Sequence, residues 1–413
     1  MAVDKNLFLH ELSIVAILKN EGPYLKEWLD YHLLAGVDHF YLYDNDSPDN
    51  QAEVAAPYVE TGLVDYFYVP GKAAQMFTHL DAVKRFKFFT RYIAIIDGDE
   101  FIYPKSSEGG RIIDVVDEIL SHDPNAAGLA VNLYAFGSNG QETADYSRGV
   151  LERFTRRSSS VDKHVSTISN PRMINVCVNP HFAVYFEGLY SINENGGIVV
   201  GPCNEPATDE KIVMNHYSMK SREEYEKKVQ RGNADHVVNL YSMENFDINK
   251  DNDEFDDGIL KYREARAENF QLPDKSHADE RLFNALAENL SPTLLPNTPP
   301  EFYEDKVETF LTCRAVAAYL QNKLTDNAPA KFFEEASLKA LIKALNIGTS
   351  FADIRLLLAE LPELLILPYF VVEEIRVACL NIIPQMMTVM RLNNNWKNYV
   401  ELEYIQRLLQ IQK

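Results

Sequence analysis

The sequence predicts an α/β fold, a mostly parallel sheet flanked by helices, followed by a helical carboxyl-terminal region, and three observations carry this. Over the first 135 residues, strand-like and helix-like stretches alternate, the pattern of a parallel sheet with crossover helices. The run Tyr92 to Phe101 is apolar like a buried parallel strand and breaks at Asp97-Gly98-Asp99. Beyond a Pro-rich break at Ser291 to Pro300, apolar residues recur at helical spacing.

Leu12 to Leu18 is the first expected strand, ending at Lys19-Asn20-Glu21. A helix follows, with Pro23 in its first turn, Leu25, Trp28, Leu29 and Leu33 on one face, and Gly36 as its stop. Val37 to Tyr43 forms the second strand, closed by the turn residues Asp44-Asn45-Asp46-Ser47-Pro48. Gln51 to Glu60 reads as a helix, Val64 to Val69 as a strand, and Ala73 to Phe89 as the helix leading into the Asp97 strand. Arg111 to Leu120 and Ala127 to Tyr134 add a further helix and strand.

Residues 136 to 215 are irregular, with short strands expected at Ile174 to Val178 and Ile198 to Val200 and a hairpin at Asn195-Gly196-Gly197. Val213 to Tyr217 is a later strand, and Ser221 with Glu224 opens a capped helix to Gln230. These patterns divide the chain into residues 1–290 and a helical accessory region, 301–413, suited to packing, acceptor docking or homo-oligomer formation.

A net charge of −21 argues against a nucleic-acid partner. Cys177, Cys203, Cys313 and Cys379 show no metal or disulfide spacing and fit a reducing compartment. The amino terminus lacks a secretory pattern, and Leu361 to Met390 is too interrupted by charge to span a bilayer. A cytoplasmic location is expected, with peripheral attachment to the inner face of the membrane left open.

Three acidic strand ends, at Glu21, Asp44 and Asp97/Asp99, fall along one edge of the sheet, where open α/β sheets bind ligands. Hard carboxylates one residue apart suit Mg²⁺ or Mn²⁺ and, through the ion, a diphosphate. Asp97 and Asp99 are read as sharing an ion, with Gly98 letting the chain turn between them; otherwise they are a solvated strand end. Glu100 is a candidate for orienting a ligand. His216, near the end of a later strand, is a candidate third metal ligand or a packing residue. Lys84 and Arg85 precede the acidic strand on a helix, while Lys220, Lys228 and Arg231 bring positive charge toward an anionic donor. Asp44 is read equally as a nucleotide contact and as an ordinary turn residue.

These residues resemble glycosyltransferase family 92 and its bacterial family-2-like relatives. The resemblance rests on Glu21, Glu27-Trp28-Leu29, Tyr31-His32, Gly36-Val37-Asp38-His39-Phe40, Tyr43-Asp44-Asn45 and Asp97-Gly98-Asp99-Glu100-Phe101. Further along, it includes Lys163, Asn170-Pro171, His181, Asn215-His216-Tyr217, Lys220-Ser221, Glu224, Lys228 and Arg231-Gly232. It spans roughly residues 10 to 265 and implies a Rossmann-like GT-A fold, a nucleotide-sugar donor, a divalent metal and inversion at the anomeric carbon. The expected metal ligands are Asp97, Asp99 and His216. The expected donor contacts are Glu21, Asp44, Lys84, Asp97, Lys220 and Arg231. The acceptor is expected to be a glycan or lipid-linked saccharide, as in polysaccharide biosynthesis.

An inverting transfer needs one carboxylate to take the acceptor proton. Asp145, Glu187 and Glu205 are the candidates, with Glu142 and Asp209 in the same irregular segment, and no spacing separates them. A nucleotidyl or phosphoryl transferase is disfavoured because no Gly-rich phosphate loop follows the first strand. A non-catalytic carbohydrate-binding protein is disfavoured by the intact Asp97, Asp99 and His216.

Overall fold

The computed structural model describes residues 8–273, apart from 88, 106–109, 187, 233–238, 240, 249–250 and 269, together with scattered residues between 380 and 406. The chain divides into two compact units, His10–Ala278 and Met1–Leu9 with Asp279–Lys413. The Pro-rich break and the helices expected from 302 to 359 lie outside the described residues.

The first unit begins β1 (His10–Leu18), α1 (Gly22–Leu34), β2 (His39–Asp44), α2 (Gln51–Glu60), β3 (Val64–Tyr68), α3 (Gln75–Phe86), β4 (Thr90–Ile95) and β5 (Glu100–Pro104). There follow α4 (Ile112–Leu120), β6 (Ala126–Ala135), α5 (Val150–Arg153), β7 (Arg156–Arg157), β8 (Asp162–Ser169), β9 (Ile174–Cys177), β10 (Ala183–Tyr185), β11 (Tyr190–Ile192) and β12 (Ile198–Val199). The unit ends with β13 (Ile212–His216), α6 (Arg222–Arg231), α7 (Met243–Ile248), β14 (Glu254–Phe255) and α8 (Gly258–Ala267).

Among the described residues, the main sheet runs β12-β11-β6-β8-β4-β1-β2-β3, with β13 bridging β6 and β5. β1 is parallel to β2 and β4, and β2 to β3. Its two faces explain the continuous apolar run of β1. Leu12, Ile14, Ala16 and Leu18 join Leu25, Trp28 and Leu29 of α1 in one core, while Val15 and Ile17 join Val83 and Phe86 of α3 in the other.

Two features depart from the sequence reading. β8 lies antiparallel between β4 and β6, in the middle of the sheet, although Asp162-Lys163-His164 at its start is polar and hides the strand signal. The apolar run through Asp97 is also two strands, because β4 stops at Ile95 and β5 begins at Glu100. The turn between them is closed by the Glu100 amide donating to the Asp97 carbonyl at 3.1 Å and the Asp97 amide donating to Glu100 Oε2 at 3.0 Å. A Cβ on Gly98 would lie 2.7 Å from Leu18 Cδ2, so any larger residue there has to displace the end of the Leu18 side chain.

Helix α1 fixes the position of this turn from below. Trp28 Nε1 donates to the Glu100 carbonyl at 2.8 Å, and Tyr31 OH to the Ile102 carbonyl at 2.8 Å. His32 Nδ1 lies 2.9 Å from the Trp28 carbonyl, while Nε2 accepts from the Ile102 amide at 3.3 Å. Both bonds together require the neutral, Nδ1-protonated ring. Three side chains of one helix thus grip the two residue positions that follow the acidic turn.

Candidate functional site

A cavity of about 360 Å³ opens at the carboxyl ends of β1 and β4, lined among others by Glu21, Asp97, Asp99, His181, His216 and Arg231. Antiparallel pairing of β13 with β5 sets His216 opposite Glu100, which carries the imidazole to the acidic turn. His216 Nε2 is 3.3 Å from Asp99 Oδ1, and Lys228 Nζ is 2.8 Å from Asp99 Oδ2. Gln75 Nε2, at the start of α3, donates to Asp97 Oδ1 at 3.0 Å.

The two aspartates differ in charge environment. Burial, reinforced by Glu100, pushes Asp97 up to about 6. Burial also opposes the charged form of Asp99, but the Lys228 ammonium and His216 outweigh it and hold the carboxyl well below the usual range. His216 is raised, since Asp99 overcomes the burial that would keep the ring neutral.

Helix α6 delivers the cations, and its own anchorage is buried. Ser221 and Glu224 form a capping box. Glu224 also takes a two-pronged ion pair from Arg153, at 2.9 and 2.6 Å, and a hydrogen bond from Tyr24 OH at 2.8 Å. Its charged form survives burial because Arg153 and Ser221 lower its pKa to about 2. One turn and two turns farther along, Lys228 meets Asp99, and Arg231 donates to Glu21 Oε1 at 2.5 Å and to the Lys19 carbonyl.

The structure therefore gathers Asp97, Asp99, His216, Glu21 and Arg231 around one cavity. Lys220 lies on an adjoining cavity, its Nζ 3.9 Å from Glu21 Oε2 and 4.4 Å from the Tyr24 ring centre. Asp44 accepts from the Ser47 amide and from Tyr66 OH, and Tyr66 in turn receives Gln51, whose Oε1 accepts from the Glu21 amide. It braces the β1 and β2 ends and is absent from the described lining of both cavities. The side chain of Lys84, and Glu187, lie outside the described residues. Arg85 stacks on Phe67 and Phe86 and is absent from the described lining of both cavities. Asp145 is exposed and capped by Ser147, while Glu205 pairs with Lys163 at 2.9 Å. Gln75 and Tyr241, which line the first cavity, were not singled out from the sequence, and Glu224 was read there as a helix cap and motif residue without its ion pair to Arg153. Their positions depend on loops and long-range packing that carry no local signature.

A divalent ion is implied by the resemblance, and the donor chemistry suits one: two carboxylates and an imidazole on one cavity. Glu100 Oε1, adjacent to this turn, is buried without a hydrogen-bond partner. In the arrangement seen, however, both Asp99 oxygens are engaged by Lys228 and His216. No three His, Cys, Asp or Glu side chains among the described residues are gathered closely enough to hold an ion.

An α/β sheet with an acidic turn and a cationic helix facing each other across its carboxyl edge is the architecture of an anionic-ligand site. The chain belongs to glycosyltransferase family 92, whose sequence model matches residues 19–257. A family 92 protein of Ricinus communis is 27% identical over 241 residues, covering 57% of this chain and 40% of that protein. One of Oryza sativa subsp. japonica is 25% identical, covering 57% and 38%. The chain thus spans about two fifths of the length of these curated relatives. Among solved structures, S. aureus TarS 1–349 in complex with UDP is similar at a TM-score of 0.30 and 11% identity, over 83% of this chain and 93% of that one. Likeness at that level carries no argument about function.

Proposed function

We propose that the chain transfers a sugar from a nucleotide-sugar donor to a saccharide acceptor with inversion, using Mn²⁺ or Mg²⁺. Family membership supports the reaction class. The observation that carries the site is the convergence of Asp97, Asp99 and His216 with Lys228 and Arg231 on one cavity. Lys228 and Arg231 bind and orient the donor diphosphate, and their charge favours its departure. Asp97, Asp99 and His216 are the residues that would hold the metal, which when bound adds Lewis-acid stabilisation to the leaving diphosphate. The acceptor oxygen bonds to the anomeric carbon as the bond to the diphosphate breaks, and the diphosphate leaves with the electron pair. A carboxylate takes the acceptor proton. Asp145 immediately precedes Tyr146, which lines the adjoining cavity, and is the candidate that this reading favours over the Lys163-paired Glu205.

The test is a panel of nucleotide sugars with Mn²⁺ and simple saccharide acceptors, read as nucleotide release. One donor should give release above the blank, and Asp97→Asn or Asp99→Asn should abolish it while the protein stays folded. No release from any donor, with no nucleotide binding by calorimetry, would count against the reading.

A further inference from the structure

Helix α6 holds its two cavity cations in different ways. Arg231 is gripped beside the end of β1 by a carboxylate and a carbonyl, Glu21 Oε1 and that of Lys19. Lys228 donates through Nζ to Asp99 Oδ2 at 2.8 Å and to the Ser218 carbonyl at 3.2 Å, and the same ammonium stands over the Tyr241 ring, 5.1 Å from its centre. Lys228 and Tyr241 both line the first cavity.

Tyr241 is set against Lys228 by α6 itself. Asn239 Oδ1 accepts from the Tyr241 amide at 3.0 Å, and Asn239 Nδ2 donates to the carbonyl of Val229, the residue after Lys228. The Tyr225 ring, one turn before Lys228 and 4% exposed, meets the Tyr241 ring edge-on with centres 6.4 Å apart and packs on Phe246 of α7 at 5.2 Å. Backbone and packing thus both fix the ring beside the ammonium.

What holds Lys228 matters because its carboxylate partner, Asp99, is one of the residues that would hold the metal. With Asp99 engaged by an ion, the ammonium keeps one neutral carbonyl and one aromatic face. A second carboxylate in place of the ring would also hold the lysine, but it would neutralise the cation and repel a diphosphate. The face of a neutral phenol ring attracts a cation within about 6 Å of its centre and leaves the positive charge available to a ligand. We infer that Tyr241 is a positioning residue for donor binding, its ring keeping the Lys228 ammonium in the cavity and available to the diphosphate once Asp99 is engaged elsewhere. The inference rests on the transfer reading above and deepens it by assigning a residue that acts through Lys228.

The experiment is calorimetry of UDP binding to the full chain, with saturating Mn²⁺ and without metal, for Tyr241→Leu, Tyr241→Phe, Lys228→Met and the double variant Tyr241→Leu/Lys228→Met. Melting temperatures check that each is folded. With Mn²⁺, Tyr241→Leu should weaken UDP binding about fivefold, the size of one partly desolvated cation–π contact, while Tyr241→Phe, which keeps the ring, should stay within about twofold of the parent. Without metal, where Lys228 still has Asp99, the loss in Tyr241→Leu should shrink below about twofold. Added to Lys228→Met, Tyr241→Leu should have no further effect, because its influence passes through the ammonium. An equal loss with and without Lys228 would mean that the ring touches the nucleotide itself or only supports the fold, and overturns the inference. So does UDP affinity that Tyr241→Leu leaves unchanged in Mn²⁺, a loss of the same size without metal, or a loss that Tyr241→Phe shares. Failure of the parent chain to bind UDP sinks the transfer reading and the inference together, whereas a parent that binds UDP without coupling between Tyr241 and Lys228 sinks the inference alone.

Discussion

Lys228 Nζ and Asp99 Oδ2 meet at 2.8 Å with both side chains about nine-tenths buried. The ammonium therefore occupies a carboxylate oxygen that a metal ion would also use. On the proposed reading a bound metal would compete with the ammonium for Asp99, and a donor diphosphate would offer Lys228 an alternative partner.

Replacing Lys228 with Met should accordingly have two opposite effects. Mn²⁺ binding without nucleotide should tighten, because the competing charge is gone, and UDP binding without metal should weaken about tenfold, the loss of one charge-assisted contact. Calorimetry of each ligand alone measures both. Unchanged Mn²⁺ affinity would show that Lys228 does not hold the metal position.

Gly98→Ala addresses the geometry of the acidic turn. The added methyl would press on Leu18 Cδ2, and Leu18 is only 1% exposed and packed in the core, so it has no room to withdraw. Overpacking of this kind costs about 1–3 kcal/mol, and the displaced turn should weaken UDP binding beyond what the stability loss explains. A variant with the parent melting temperature and the parent UDP affinity would contradict the close-approach argument.

The parallel half of the fold was legible because each strand buried on both faces is a short apolar run closed by turn residues, and α2 over Gln51–Glu60 matches its expected bounds. The acidic turn and His216 were legible as strand ends. What the sequence did not disclose depends on contacts far apart in the chain. β8 joins the sheet through a half-polar segment, and Gln75 reaches Asp97 only once α3 has docked. The Tyr31-His32 motif was visible, but its role in gripping the Ile102 backbone emerges only when α1 lies beneath β5.

Acid sensitivity follows from His32 and Glu224. Burial of His32 lowers its pKa from 6.5 to about 3, so between these values the unfolded chain binds a proton that the folded chain refuses. Its contribution is intact above about pH 6.5 and declines as the pH falls toward 3. Glu224, lowered from 4.5 to about 2 against burial by Arg153 and Ser221, is intact above about pH 4.5 and declines in the same direction. These two groups therefore lower the urea unfolding midpoint from pH 7 to pH 4, against Asp97 and His216, whose raised values act in the opposite direction. A His32→Gln variant that retains both backbone bonds should show a shallower decline between pH 6.5 and 5, and an unaltered slope would exclude His32 as a source.

The Arg153–Glu224 pair is the deepest charged contact in the anchorage of α6, with side chains 1% and 2% exposed. Removing one partner strands the other charge in the interior, at a cost of about 3–5 kcal/mol. Arg153→Met should thus lower the unfolding free energy by that amount and also loosen the helix that carries Lys228 and Arg231, weakening UDP binding. Adding Glu224→Gln removes the stranded charge while keeping an amide oxygen for Tyr24 OH, so the double variant should regain part of the stability. If α6 acts as the positioning element, UDP affinity should recover in step with stability, because Lys228 and Arg231 themselves are untouched. Denaturant unfolding and calorimetry on the two single variants and the double variant decide the point. Full stability in Arg153→Met, or UDP binding that ignores the loss of the pair, would remove the pair from the account of how this helix presents its cations.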